Sequence, residues 1–243
     1  SNHPHPQTPL FLLYPLLFSV ASMNVFKLWL AHFQGEGEVR VEAVEQVVRV
    51  EIPRMIERLK TSQKARLKDV VEPRREVVNP RQLDPSMPYV GLEHIMPGEF
   101  LLRRFGKAGS VKSSKLRFYK GDILYGRLRP YLDKVVVATV NGVCSTDIIV
   151  LKAKEGVMPE FLVLVLHSTR FINYARQRMR GTDRPRVNWS SLADFTITLP
   201  PLDEQKTVID VLFMFERLRE LYNKQLEKLD RIKRGLTDLL LSS

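Results

Sequence analysis

The sequence predicts an α+β fold: a curved, mostly antiparallel sheet with helices packed on it, followed by a long C-terminal coiled-coil helix. Three observations carry this. Between Tyr89 and Leu151, short β-rich runs alternate with Gly, Asn and Pro. From Pro159 to Met179, apolar residues recur at helical spacing. From Glu204 to Leu241 there is no Pro and the only Gly is Gly235, so a single helix is expected throughout.

In chain order, the apolar run from Pro9 to Ala21 holds Pro15 and has no Lys or Arg before it. It is shorter than the ~20 residues a membrane span needs and lacks the basic start of a secretory signal. Val39 to Lys60 mixes acidic, basic and apolar positions in a helix-compatible way, with Glu45 four residues before Arg49 and Pro53 interrupting the run. Residues 1–60 are therefore an N-terminal extension, partly helical and of unassigned role.

A globular domain is expected over residues 61–202. Its Glu72–Pro88 segment carries Pro73, Pro80, Pro85 and Pro88 and reads as a loop with short extended pieces. Asp122–Tyr125, Lys134–Val140 and Ile148–Leu151 read as strands. Asn141-Gly142 between two such runs signals a hairpin, since both residues tolerate positive φ. Phe161, Leu162, Val165, Leu166, Phe171 and Ile172 fall on a helix or helix pair that packs on the sheet. Arg180 to Asn188 reads as a loop, and Phe195 to Leu199 as a closing strand.

Pro200-Pro201 stops that strand and Asp203 is placed to cap the next helix. Residues 203–243 form the third region. Its apolar positions advance in steps of three and four, and 38 residues give a helix of about 57 Å. Leu212, Phe215, Tyr222, Leu226, Leu229 and Leu236 are the expected helix interface.

The 243 residues carry a net charge of +11, which points to a polyanionic partner, since such an excess repels itself unless neutralised. The charge is clustered. Arg103 to Lys134 holds ten basic residues against Asp122 and Asp133, and His167 to Ser190 holds six arginines against Asp183. From these stretches come the expected DNA-binding residues: Lys112, Lys115, Arg117, Arg127, Arg129 and Lys134 from the first, and Arg178, Arg180, Thr182, Arg184, Arg186 and Asn188 from the second. Guanidinium groups can donate in pairs to phosphate or guanine, while Thr and Asn supply further base-edge contacts.

Catalytic motifs are missing: there is no G-x-S-x-G, no P-loop and no G-x-G-x-x-G after a strand. Five scattered histidines and the single Cys144 give no metal-ligand spacing and no disulfide framework, which suits the reducing cytoplasm. No catalytic residue and no metal site are expected, and no membrane association.

Several of these residues form a recognisable set. Gly121-Asp122-Ile123-Leu124 through Arg127 and Pro130-Tyr131-Leu132, then Cys144-Ser145-Thr146-Asp147, Gly181-Thr182, Arg186-Val187-Asn188-Trp189 and Leu199-Pro200-Pro201-Leu202-Asp203-Glu204-Gln205 resemble, in order and spacing, the specificity subunit of type I restriction-modification systems. The resemblance covers residues 64 to 243, and the Pro-Pro-Leu-x-Glu-Gln step into a long helix is its most specific part. It implies a target recognition domain followed by a conserved-region helix that docks DNA adenine methyltransferase (modification) subunits. It also implies a non-catalytic chain that recognises one half of a bipartite double-stranded DNA site. S-adenosylmethionine, ATP and Mg would then sit on partner subunits, with none bound by this chain. Full-length members have two such repeats and only one is found here, so a homodimer through the helix, a fragment and the C-terminal part of a fused methyltransferase or nuclease are alternative assemblies. A protein-assembly module that meets an acidic partner is the alternative from outside the family.

Overall fold

The computed structural model describes residues 49–50, 52–57 and 62–241. The Pro9–Ala21 run and most of the Val39–Lys60 segment lie outside the described residues. Of the latter, α1 (Ile52–Glu57) is a short helix that begins beside Pro53, where the missing N–H is not needed. The chain divides into two compact units, one of residues 48–209 and the other holding the helix from Asp210 onward.

Within residues 48–209 the fold is α+β. The strands are β1 (Gln63–Arg66), β2 (Val71–Arg74), β3 (Val77–Val78), β4 (Pro88–Val90), β5 (Gly106–Lys107), β6 (Lys115–Phe118), β7 (Ile123–Gly126), β8 (Val135–Val137), β9 (Gly142–Cys144), β10 (Ile148–Ala153) and β11 (Thr196–Leu199). They pair in a four-stranded sheet of order β2-β10-β7-β8, a five-stranded sheet β3-β6-β9-β4-β5 and the pair β1-β11. All pairings are antiparallel except β4 with β9. One buried cluster takes Val90, Phe118 and Cys144 from the five-stranded sheet and Leu124, Val136, Ile148 and Val150 from the four-stranded one. The two sheets therefore share a core, and β7 and β8 are buried along their whole length, which removes the alternation an exposed face would have given.

The expected single curved sheet is thus three, and the predicted hairpin at Asn141-Gly142 does not form. β8 belongs to the four-stranded sheet and β9 to the five-stranded one, so Thr139–Asn141 crosses between sheets. Gly142 is needed for close approach instead of positive φ. A Cβ there would collide with the Pro88 carbonyl oxygen and lie 2.8 Å from Phe118 Cζ. Asn141 accepts from the Lys120 amide through its side-chain oxygen.

The helix pair is present. α2 (Leu67–Val70) is a single turn. α3 (Pro159–His167) starts with Pro at its first position and buries Phe161 to Leu164, Leu166 and His167; it packs on β8. Ser168 ends it and caps α4 (Thr169–Arg176) by accepting from the Phe171 amide. Phe171 and Phe195 meet edge to face, and Tyr125 and Tyr174 extend the cluster. α5 (Trp189–Leu192) leads into β11.

The C-terminal helix α6 runs from Leu202 to Leu241, 40 residues or about 60 Å. It starts one residue before Asp203, so Asp203 lies within the first turn rather than capping it; its charge still opposes the positive helix end. Gln205 is fully buried. Its amide nitrogen donates to the Pro200 carbonyl at 2.9 Å and the Gly156 carbonyl at 3.1 Å, and its oxygen accepts from the Met158 amide at 2.9 Å. One side chain thus ties the helix start to the loop between β10 and α3.

Candidate nucleic-acid interface

The two arginine-bearing stretches meet through their backbones. After β7, the Arg127 amide donates to the Asp147 carbonyl at 2.9 Å and the Arg127 carbonyl accepts from the Val187 amide at 3.0 Å, while the Arg129 amide donates to the Pro185 carbonyl at 2.8 Å. Leu128 and Arg186 form an antiparallel bridge. The 180–186 loop closes on itself, because Arg180 and Arg186 exchange both amide-carbonyl bonds at 2.9 Å. Gly181, at φ +95°, makes the turn that a side chain would resist. Thr182, Asp183 and Arg184 are exposed at its tip.

Two acidic anchors hold this arrangement, and neither is among the expected DNA-binding residues. Asp147 receives Arg186 through Nε at 2.8 Å and Nη2 at 3.3 Å, a bidentate pairing. Arg127 donates to the Val187 carbonyl at 3.2 Å and to the Asn188 side-chain oxygen. Asp133 ends the turn after Arg129: its carboxylate lies 2.7 Å from His167 Nδ1 and 2.9 Å from Arg49 Nη2. His167 Nε2 faces the Glu99 carbonyl oxygen at 3.0 Å, so the buried ring bridges Asp133 and the Glu99 backbone. The lone acid in the Cys144-Ser145-Thr146-Asp147 run, set against so many arginines, was the available signal for Asp147. Nothing in the sequence paired His167 with Asp133, 34 positions away.

The twelve expected DNA-binding residues therefore separate. Arg129, Arg180, Thr182, Arg184 and Asn188 are exposed and share the 127–129 and 180–188 region. Arg127 and Arg186 belong to the same region but are engaged as described, and Arg178 stacks 3.4 Å over the Tyr174 ring and donates to its carbonyl. Lys134 donates to the Leu92 carbonyl at 2.7 Å, and Arg117 pairs with Glu76 at 2.9 Å. Lys115 is a correction. It is 5% exposed, with Nζ bound to the Ser113 carbonyl and hydroxyl at 2.8 and 2.6 Å, and burial lowers its pKa. At the start of a short strand, that side chain is turned inward. Lys112 is exposed; among the described residues no hydrogen bond or ion pair links it, Lys115 or Arg117 to the 180–188 loop. Among the expected helix-interface residues, Leu212 is buried while Leu226, Leu229 and Leu236 are exposed; the side chains of Phe215 and Tyr222 lie outside the described residues.

Hydrogen bonding to Arg186 lowers the pKa of Asp147, against the opposing effect of burial, with the nearby charges of Arg186, Arg127 and Arg184 adding to it. A depressed carboxyl stabilises the fold above its unfolded value, about 3.9, and that contribution is lost as pH falls through the folded value. Thermal melts of Asp147→Asn and the parent chain are thus expected to differ by a constant gap from about pH 5 upward and to converge in acid; a gap that persists at pH 2 would remove the ion pair as its source.

Among the described residues, no group of three His, Cys, Asp or Glu side chains is placed to hold a metal ion, and no helix is long and apolar enough to cross a membrane. Cys144 is buried, and burial pushes its thiol up to about 12, so it is not a ready nucleophile.

Residues 60–231 match the family described as type I restriction modification DNA specificity domain. The specificity subunit of the type I restriction enzyme EcoDI from Escherichia coli is 34% identical over 99 residues, 41% of this chain and 22% of that protein. The MjaVIII specificity subunit from Methanocaldococcus jannaschii is 25% identical over 155 residues, 64% of this chain and 35% of that protein. The crystal structure of the HsdS subunit from Thermoanaerobacter tengcongensis superposes with a TM-score of 0.57 at 28% identity, over 70% of this chain and 46% of that one. The chain thus spans between about a fifth and just under half the length of these relatives.

Proposed function

The chain belongs to the type I restriction-modification DNA specificity family, and on that premise we propose that it binds one half of a bipartite DNA site sequence-specifically and docks modification methyltransferase subunits through α6. The observation that carries the DNA reading is the convergence of the two basic stretches, Arg127–Arg129 hydrogen-bonded to Pro185–Val187 with Arg180 and Arg184 exposed beside them. Polyanion binding needs unpaired cations on a fixed surface, and base reading needs donors and acceptors side by side. The hairpin tip offers both in Thr182, Asp183 and Arg184. On this reading the chain performs no chemistry, and S-adenosylmethionine, ATP and Mg are held by partner subunits. A coiled coil along α6, with a methyltransferase subunit or with a second copy of the chain, belongs to the same proposal.

The test is selection of bound duplexes from a random pool by the chain together with its methyltransferase partner. One half-site consensus should emerge, and binding should fall steeply as salt rises. Arg184→Ala should weaken binding of that consensus about tenfold or more and relax preference at one position. Arg186→Ala is unsuitable because it removes the Asp147 anchor as well. Enrichment of no sequence would overturn the proposal; an Arg184→Ala chain with unaltered affinity and consensus would remove the tip from the site.

A further inference from the structure

The five residues from Arg129 to Asp133 are built unlike the hairpin they adjoin. Both end residues hold positive φ, Arg129 at 49° and Asp133 at 53°, and neither is Gly. Such backbones persist where the surroundings over-determine them, and here the determinants are visible. Asp133 is buried and bound by His167 and Arg49, its carbonyl accepts from the Gly98 amide at 3.2 Å, and the Arg129 amide is fixed by Pro185. Pro130 is buried between them. The turn displays the Arg129 side chain, with no hydrogen-bond or ion-pair partner among the described residues, beside Tyr131, 43% exposed, and Leu132.

The chemistry displayed differs from that of the hairpin tip. One exposed guanidinium with apolar and aromatic surface next to it suits a phosphate and its sugar, whereas the tip sets the Thr182 hydroxyl and the Asp183 carboxylate beside the Arg184 guanidinium, a denser set of donors and acceptors for base edges. Resting on the DNA reading above, we propose that the Arg129–Asp133 turn is a register clamp. Arg129 takes a backbone phosphate, Tyr131 packs on the adjoining sugar, and the Thr182–Arg184 tip alone discriminates bases. Asp133 and His167 are positioning residues that hold the turn in its strained form.

The experiment measures binding of the selected duplex and of a scrambled duplex by anisotropy, from about 50 to about 200 mM salt, with the methyltransferase partner present. For Arg129→Ala, the slope of log affinity against log salt should shrink by about 0.9. Both duplexes should lose affinity by the same factor, roughly ten, and the selected sequence should stay the same. Arg129→Lys should keep the slope. Asp133→Asn, which still tolerates positive φ, should reproduce the Arg129→Ala loss and add nothing in an Arg129→Ala background; a merely structural role would cost the same in both. An unchanged slope, a changed consensus in Arg129→Ala, or additive losses would overturn the clamp. Wild-type chain that binds neither duplex would instead overturn the DNA reading beneath it.

Discussion

Gln205→Ala is expected to destabilise the 48–209 unit by about 3 to 5 kcal/mol and to lower its melting temperature by roughly 10 °C. The side chain is fully buried and makes three hydrogen bonds, to the Pro200 and Gly156 carbonyls and from the Met158 amide. Truncation strands three backbone groups away from water, and each unmet buried group costs about 1 to 3 kcal/mol, part of which relaxation recovers. For a unit of this size, each kcal/mol moves the midpoint by about 2 to 4 °C. Gln205→Glu separates hydrogen bonding from volume: it keeps the shape but cannot donate to two carbonyls, and it places a carboxylate in their field, so it should be no better than Ala. A midpoint shift below about 2 °C for both variants, by calorimetry, would mean that the helix start is not held by this residue.

That side chain also illustrates what was legible in the sequence. The Pro-Pro-Leu-x-Glu-Gln step marked the strand-to-helix boundary to within two residues because Pro stops a strand for a local reason. What Gln205 does there depends on Gly156 and Met158, nearly fifty positions earlier, and no local pattern carries that. The same division holds elsewhere. The helix pair and the long C-terminal helix follow from periodicity, and the β7 and β10 runs from short β-rich stretches set between turn residues, so all were readable. The separation of β8 and β9 into different sheets was not, because Asn141-Gly142 is as good a turn as any and the deciding fact is the room that Gly142 leaves for Pro88 and Phe118.

Charge behaved likewise. Clustering pointed to the region where Arg127–Arg129 and Pro185–Asn188 come together, since it needs only composition. It could not tell an exposed guanidinium from a committed one. Arg184 and Arg186 are two positions apart, yet only Arg186 reaches Asp147, and Lys115 is buried at the first position of β6 while Lys112 is exposed in the loop before it. Assigning such side chains requires knowing the acid or carbonyl opposite them, which is tertiary information.

Leu226→Asp combined with Leu229→Asp is expected to abolish assembly while leaving the 48–209 unit as stable as before. Leu226, Leu229, Ile232 and Leu236 are exposed on α6, Leu229 at 60%, and they advance by three, three and four residues, the spacing of a single apolar seam. Residues so exposed contribute little to the stability of their own fold, so no loss of melting temperature is expected. In a helix-to-helix interface each Leu contributes about 2 kcal/mol by burial, and replacing two of them removes about 4 kcal/mol before any penalty for burying carboxylates. That corresponds to at least about a thousandfold weaker association. Sedimentation velocity distinguishes the two occupants of the seam: a shift from dimer to monomer for the chain alone identifies a second copy, whereas loss of co-sedimentation with the methyltransferase subunit alone identifies that partner. If the double variant assembles as the parent does with both, the apolar seam is not the docking surface, and the proposal for α6 fails while the DNA reading of the 127–129 and 180–188 region stands independently.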